Sequence, residues 1–90
     1  MTYTIKLLPE ALSDIAFWRQ SGQKGILRKI DKLIGELIEH PRTGTGKPEQ
    51  LKGERAGQWS RRIDKKNQFV YTIEDNIVTV EILAAKGHYD

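Results

Sequence analysis

The stretch from Ile26 to Ile38, ILRKIDKLIGELI, carries the strongest periodic signal in the chain. Its apolar residues recur at steps of one, three and four, so on an α-helix they fall along one side, opposite the charged residues. Pro41 follows within one turn, and proline cannot continue a helix because it lacks the backbone N–H. The pattern therefore predicts a long amphipathic helix that ends before Pro41 and covers a core with one face.

The residues before this helix predict a strand and a first helix. Thr2 to Leu7 alternates polar and apolar residues, which is typical of a strand. Pro9 suits the first turn of a helix, where Glu10 and Asp14 are close to the positive end of its dipole. We expect Gly22 and Gly25 to break that helix. The face predicted for it consists of Leu12, Ile15, Ala16 and Arg19.

The residues after Pro41 predict a loop and then three strands. Residues 42–57 are rich in Gly, Pro, Thr and charge, with a short extended piece expected at Gln50–Lys52. The predicted strands are Gln58–Asp64, Phe69–Ile73 and Ile77–Ala84, and Glu74-Asp75-Asn76 has the composition of a hairpin turn. The expected fold is a single α+β domain over residues 1–90. Its two N-terminal helices would pack on a small, mainly antiparallel, twisted β-sheet.

The amino-acid composition limits the classes of protein to which this chain could belong. Hydrophobic residues at 38% and charged residues at 30% are ordinary for a globular domain and too apolar for a disordered chain. There is no run of about 18 apolar residues and no signal-peptide pattern at the N-terminus, so we expect a cytoplasmic protein with no membrane partner. With no cysteine and only two histidines, we also expect no cofactor and no metal site.

Positive charge is concentrated in the middle of the chain. Residues 41–66 hold eight Lys and Arg against three acidic residues, a net charge of +5 in a chain whose total is +3. Such a segment favours an anionic partner, with nucleic acid the leading candidate. The alternative is a solvated loop that binds nothing, and charge alone does not separate the two.

Three segments together carry the groups that could cleave RNA. Glu49 is a carboxylate that could take a proton from a ribose 2′-hydroxyl, and His88 could return one to the leaving oxygen. Cations such as Lys52 and Arg62 could stabilise a phosphate as its charge grows. On a strand the adjacent Arg61 and Arg62 face opposite sides, and parity puts Arg62 away from Trp59, which we assign to the core side.

Four short motifs in order also carry a family resemblance. They are Gly46-Lys47-Pro48-Glu49-x-Leu51-Lys52, Gly57-x-Trp59-Ser60-Arg61-Arg62-Ile63, Val70-Tyr71 and Lys86-Gly87-His88-Tyr89. In this order and spacing the chain resembles the YoeB/Txe toxins of the RelE superfamily of toxin–antitoxin ribonucleases. The likeness covers nearly the whole chain, and it implies the RelE-like microbial RNase fold.

The resemblance implies an activity and a set of site residues. The chain would be the toxin of a type II toxin–antitoxin system, a ribosome-dependent, metal-independent endoribonuclease (mRNA interferase). Such enzymes direct a ribose 2′-hydroxyl at the adjacent phosphate and leave a 2′,3′-cyclic phosphate and a 5′-hydroxyl. By position, Glu49 matches the general base and His88 the general acid. Lys52 and Arg62 match phosphate contacts, and Tyr89 matches a C-terminal aromatic residue.

One position departs from the family pattern. Before Val-Tyr the family usually has histidine-arginine-leucine, whereas this chain has Asn67-Gln68-Phe69. Gln68 thus stands where a catalytic arginine is expected, and a neutral donor makes a weaker phosphate contact than a charged one. Either neighbouring cations compensate or the enzyme is slow. The cations named for this are Arg61, Lys65 and Lys66. The residues expected to bind RNA outside the reacting centre are Lys47, Arg61, Lys65 and Tyr89.

The partners implied by the resemblance are macromolecules. The first is a cognate antitoxin of the YefM/Phd type, whose acidic C-terminal segment would find a target in the basic middle of the chain. The others are the ribosome with its mRNA, operator DNA bound together with the antitoxin, and a second copy forming a homodimer. An alternative function also stays open. The chain could be a weakly active or inactive homologue that mainly binds its antitoxin, the ribosome or operator DNA.

Overall fold

The computed structural model describes residues 2–87, and it has the predicted α+β architecture. Its strands and helices, in chain order, are β1 (Thr4–Leu7), α1 (Pro9–Gln20), α2 (Lys24–Glu39), β2 (Glu49–Gln50), β3 (Gln58–Arg62), β4 (Gln68–Glu74) and β5 (Thr79–Ala84). Two short 3₁₀ turns lie at Gly53–Arg55 and Asp75–Ile77. Within residues 2–87, no helix is long and apolar enough to cross a membrane.

The strands form one sheet in the order β1-β5-β4-β3-β2. β1 runs parallel to β5, and the other neighbours are antiparallel. The expectation of a mainly antiparallel sheet is therefore confirmed. The register between β4 and β5 shifts between Val70 and Tyr71, so the pairing there is irregular.

The two faces of the sheet have different environments. On one face, the side chains of Phe69, Tyr71, Val80 and Ile82 are fully buried and belong to the core. Both helices contribute to that core, and the members from α2 are Ile30, Leu33 and Leu37. Because side chains alternate along a strand, Ser60, Arg62, Gln68 and Val70 point away from this core to the opposite face. We call that opposite face the polar face.

The buried side of α1 differs from the predicted one. Ala11, Asp14, Ile15 and Trp18 are buried, whereas Leu12 is 52% exposed. The buried apolar residues Ala11, Ile15 and Trp18 follow the i, i+4, i+7 spacing of a helix face. A polar contact lies on the same side: the Asp14 carboxylate accepts a hydrogen bond from the Ala85 N–H at 2.9 Å. The Trp18 indole N–H donates to the Ala85 carbonyl oxygen, also at 2.9 Å. The buried face is therefore about 100° around the helix from the predicted one, and both hydrogen bonds lie on it.

Two smaller differences concern the start of α2 and the position of β2. α2 begins at Lys24, so Gly25 lies inside its first turn and does not break the first helix; Gly22 does, with φ +68°. β2 occupies Glu49–Gln50, one residue earlier than expected. The strand pairing of Glu49 with Ser60 explains this, because it places Glu49 in the sheet and not in the preceding loop.

Candidate functional site

Strand register brings three of the predicted site residues onto the polar face. Glu49 lies directly opposite Ser60, and Arg62 lies directly opposite Gln68. Ser60 and Arg62 are two residues apart on β3 and so share a face. Directly opposed residues have Cβ atoms about 5 Å apart and diagonal ones about 7–8 Å. Arg62 is therefore a direct neighbour of Gln68 and a diagonal neighbour of Glu49, and the three side chains share one face of the sheet.

The exposure of these residues suits contact with a large substrate. Glu49 and Arg62 are exposed, and Gln68 is half-buried. Lys52 is also exposed; it follows β2 by two residues and lines a shallow depression together with Glu49. The Gln68 side-chain oxygen is buried and makes no hydrogen bond. A buried polar atom without a partner is uncommon, and here it lies beside the residues predicted to hold phosphate.

The turn between β3 and β4 presents two further cations. Lys65 and Lys66 are exposed there, and the Asp64 carboxylate closes the turn by accepting hydrogen bonds from the backbone N–H groups of Lys66 and Asn67 at 2.8 Å. Burial alone would raise the pKa of Asp64, but these hydrogen bonds outweigh it and leave that pKa lowered. The fixed turn keeps Lys65 and Lys66 next to Gln68, at the edge of the polar face. Lys47 is exposed as well, in a left-handed backbone conformation with φ +52°.

The C-terminal segment approaches the same place. The Gln68 N–H donates to the Gly87 carbonyl oxygen at 3.0 Å, and the Gly87 N–H donates to the Asn67 side-chain oxygen at 2.8 Å. The chain is therefore fixed beside Gln68 one residue before His88. The expected roles of His88 and Tyr89 fall on positions outside the described residues.

Arg61 does not lie on this surface, and its predicted contact with RNA is wrong. Its side chain is fully buried and forms an ion pair with Glu36 on α2 at 2.7 Å. Its guanidinium also donates to the Tyr71 hydroxyl and to backbone carbonyl oxygens after α2. Counting charge along the chain could not detect this internal pairing. Of the three cations named to compensate for Gln68, the exposed Lys65 and Lys66 remain candidates.

Two buried or half-buried carboxylates were missed by the sequence analysis. Glu36 flanks the apolar stripe of α2, and Asp14 lies on the buried side of α1. A signal for Glu36 did exist: strand parity already placed Arg61 on the core side, where a cation requires an anionic partner. Asp14 had no comparable signal, because its partner is the backbone of a residue 71 positions away.

Gly46 has a specific role in placing the residues before Glu49. Its φ is +85°, and a Cβ atom there would lie 2.7 Å from the Arg62 carbonyl oxygen and 3.1 Å from the Arg62 nitrogen. Its own carbonyl oxygen accepts a hydrogen bond from the Arg62 N–H at 2.6 Å. The loop therefore approaches β3 so closely that only glycine fits.

We expect Gly46→Ala to destabilise the protein more than Gly57→Ala. Gly57 has a similar φ of +93° but open space around the position of a Cβ. Both variants incur the left-handed strain of about 1–2 kcal/mol, and Gly46→Ala adds the collision with Arg62. Urea unfolding of the two variants measures the difference, expected to exceed about 1 kcal/mol. Equal destabilisation would mean that the loop moves away without cost.

Comparison with known proteins identifies the family of this chain. A family model described as the YoeB-like toxin of bacterial type II toxin–antitoxin systems matches residues 7–89. The chain belongs to this family. A Toxin YoeB from Mycobacterium bovis is 46% identical over 81 residues, which cover 90% of this chain and 92% of the relative.

Solved structures of the family share the fold. The YoeB/ParE toxin from Agrobacterium tumefaciens superimposes with a TM-score of 0.89 at 34% identity, covering 96% of this chain and 99% of that one. A YoeB–YefM complex from Staphylococcus aureus contains a chain with a TM-score of 0.82 at 33% identity, covering 99% and 100%. The resemblance stated from the four motifs is therefore confirmed as family membership.

Proposed function

We propose that this protein is the toxin of a type II toxin–antitoxin system and acts as a ribosome-dependent endoribonuclease that cleaves mRNA. The observation that carries the proposal is the grouping of Glu49, Arg62 and Gln68 on the polar face. Gly87, the residue before His88, is fixed beside Gln68 by a backbone hydrogen bond. Family membership supports the toxin role, and the side-chain chemistry supports RNA cleavage.

The reaction proposed for this site is an internal phosphoryl transfer. Glu49 takes the proton from a ribose 2′-hydroxyl, and that oxygen forms a bond to the adjacent phosphorus. The bond from phosphorus to the 5′ oxygen breaks, and His88 gives that oxygen a proton. The products are a 2′,3′-cyclic phosphate and a 5′-hydroxyl, so no water is consumed and the charges balance.

Transition-state stabilisation falls to the groups around the phosphate. Lys52 and Arg62 supply fixed positive charge where the phosphate oxygens gain negative charge, and Gln68 supplies a neutral donor. Lys47 and Lys65 lie at the exposed rim and would contact the RNA backbone on either side of the cleaved bond, while Tyr89 would stack on a base. Contacts of this kind weaken as salt concentration rises.

The proposed partners follow from the surface charge and from the relatives. The Staphylococcus aureus YoeB is known in complex with YefM, which supports a YefM-like antitoxin for this chain. The exposed cations around the polar face would attract the acidic segment of such an antitoxin and compete with RNA for the same surface. The ribosome with its mRNA, in the cytoplasm, is the proposed site of action, and operator DNA is a target proposed for the complex with the antitoxin.

Gln68 supports a second candidate function. Where the family has a cation, this chain has a neutral amide, and one of the three cations named to compensate, Arg61, is buried in an internal ion pair. A weak enzyme that mainly binds its antitoxin would fit this composition. Expression of the toxin in bacteria without an antitoxin separates the two. Growth arrest with mRNA cut near start codons supports the nuclease, and unaffected growth supports the binding protein.

We expect Gln68→Arg to raise the rate of cleavage by about tenfold. A charge-assisted hydrogen bond is roughly twice as strong as a neutral one, and 1.36 kcal/mol at the transition state corresponds to a factor of about ten. Single-turnover cleavage of ribosome-bound mRNA at equal protein concentration measures the effect. Gln50→Arg is the control for added charge. Gln50 follows Glu49 on the edge strand β2, so its side chain points to the opposite face of the sheet. An equal increase in both variants would assign the gain to general attraction of RNA.

A further inference from the structure

Arg61 joins the loop before Glu49 to the core of the domain. From β3 its guanidinium reaches Glu36 at the end of α2, with a distance of 2.7 Å. It also donates to the carbonyl oxygens of His40 at 2.9 Å and Thr43 at 2.7 Å. A single buried side chain thus holds two points of the loop between α2 and β2.

Glu36 and Tyr71, two hydrogen-bond partners of Arg61, hold the same loop at further points. The Glu36 carboxylate accepts hydrogen bonds from the Thr45 N–H at 2.7 Å and from the Thr45 hydroxyl at 2.6 Å. The Tyr71 hydroxyl, which accepts a bond from Arg61, donates to the Pro41 carbonyl oxygen at 3.0 Å. Residues 40–45 are therefore fixed to the core by hydrogen bonds.

The loop held in this way continues directly into the proposed catalytic base. One residue after Thr45, the Gly46 carbonyl oxygen accepts a bond from the Arg62 N–H, and Glu49 then enters the sheet opposite Ser60. Since Arg61 and Arg62 are adjacent on β3, the buried arginine holds the loop on one face of the sheet. The exposed Arg62 lies on the opposite face, where the phosphate site is proposed.

We propose that Arg61 and Glu36 are a positioning pair for the proposed nuclease site. They fix residues 40–46 so that Lys47 and Glu49 are presented to the substrate in register with Arg62. This rests on the proposed function for its effect on catalysis, but not for its effect on the loop. A buried ion pair by itself is weak evidence for stability, since apolar residues of similar volume often fill such a space as well. Apolar residues cannot bind the loop carbonyl and N–H groups, however.

A double replacement separates positioning from stability. Arg61→Met alone leaves Glu36 without its cation and is expected to lower the melting temperature and the cleavage rate. Adding Glu36→Leu removes the unpaired carboxylate, and we expect the melting temperature to return close to that of the native protein. The single-turnover rate should stay about 100-fold low, because a misplacement of about 1 Å is enough to cost that factor.

A milder variant keeps the test decisive if the double variant fails to fold. Thr45→Val removes one hydroxyl bond to Glu36 and should lower the cleavage rate with little change in melting temperature. Thr79→Val is the matched control, because it removes the hydrogen bond from the Thr79 hydroxyl, at the start of β5, to the Ile77 carbonyl oxygen. We expect its cleavage rate to be unchanged. A native rate in the folded double variant, or in Thr45→Val, would overturn the proposal.

Amide hydrogen exchange provides a readout that does not need activity. The N–H groups of Thr45 and Arg62 donate to Glu36 and Gly46, and we expect both to exchange faster in the Thr45→Val and double variants than in the native protein. If the native protein cleaves no mRNA, the proposed function fails while this measurement still tests the pair. Unchanged protection of both amides in a folded double variant would show that the pair does not hold the loop.

Discussion

Replacement of Glu49 by glutamine is expected to lower the rate of mRNA cleavage by about 10²–10⁴. The amide fills nearly the same volume, and Glu49 is exposed at the edge of the sheet, so the fold should be unaffected. What is lost is the acceptor for the 2′-hydroxyl proton. Single-turnover cleavage of ribosome-bound mRNA, with toxin in excess, measures the chemical step without product release.

A matched acidic residue controls for this loss of charge. Glu54 is exposed in the 3₁₀ turn that follows β2, and Glu54→Gln makes the same chemical change a few residues away. We expect Glu54→Gln to cleave within about threefold of the native rate, since exposed substitutions outside a site have small effects. If Glu49→Gln also cleaves at that rate, another group is the base and the proposed mechanism is wrong.

Replacement of Trp18 by alanine is expected to lower the free energy of unfolding by about 3–5 kcal/mol. The indole is only 6% exposed and belongs to the core, and its N–H donates to the Ala85 carbonyl oxygen. A domain of this kind has about 5–15 kcal/mol in total, so much of the stability would be lost. Urea unfolding followed by circular dichroism gives the value.

Two further variants divide the effect of Trp18 into its parts. Trp18→Phe keeps an aromatic ring but leaves the Ala85 carbonyl without its donor, which should cost about 1–3 kcal/mol. Phe17→Ala, at the neighbouring position that is 46% exposed, should cost clearly less than Trp18→Ala. A loss in Phe17→Ala as large as that in Trp18→Ala would show that burial on α1 has been assigned to the wrong side.

The contact of Trp18 also bears on the proposed site. Asp14 and Trp18 bind the N–H and the carbonyl oxygen of Ala85, and three residues later the chain reaches His88. α1 therefore fixes the point from which the C-terminal segment leaves the sheet. Arg61 and Glu36 act in a similar way on the loop before Glu49. In both places, polar side chains of the core bind the backbone that leads to a proposed reacting side chain.

The sequence by itself determined the features that depend on local periodicity. The spacing of apolar residues in 26–38 predicted α2, and alternation in the last three strands predicted the antiparallel sheet. Alternation also separated Arg62 from Arg61, because successive side chains on a strand point to opposite faces. The four motifs, which need only order and spacing, were enough to indicate the family.

The tertiary structure alone decided which group pairs with the Arg61 side chain and which polar contacts hold α1 in place. Arg61 counts as one more cation in a basic segment until α2 brings Glu36 to it, and the partners are 25 positions apart in sequence. Asp14 and Trp18 join α1 to Ala85 through hydrogen bonds that span 71 and 67 positions. Pairing over such distances depends on how whole elements pack, so no local pattern of residues encodes it.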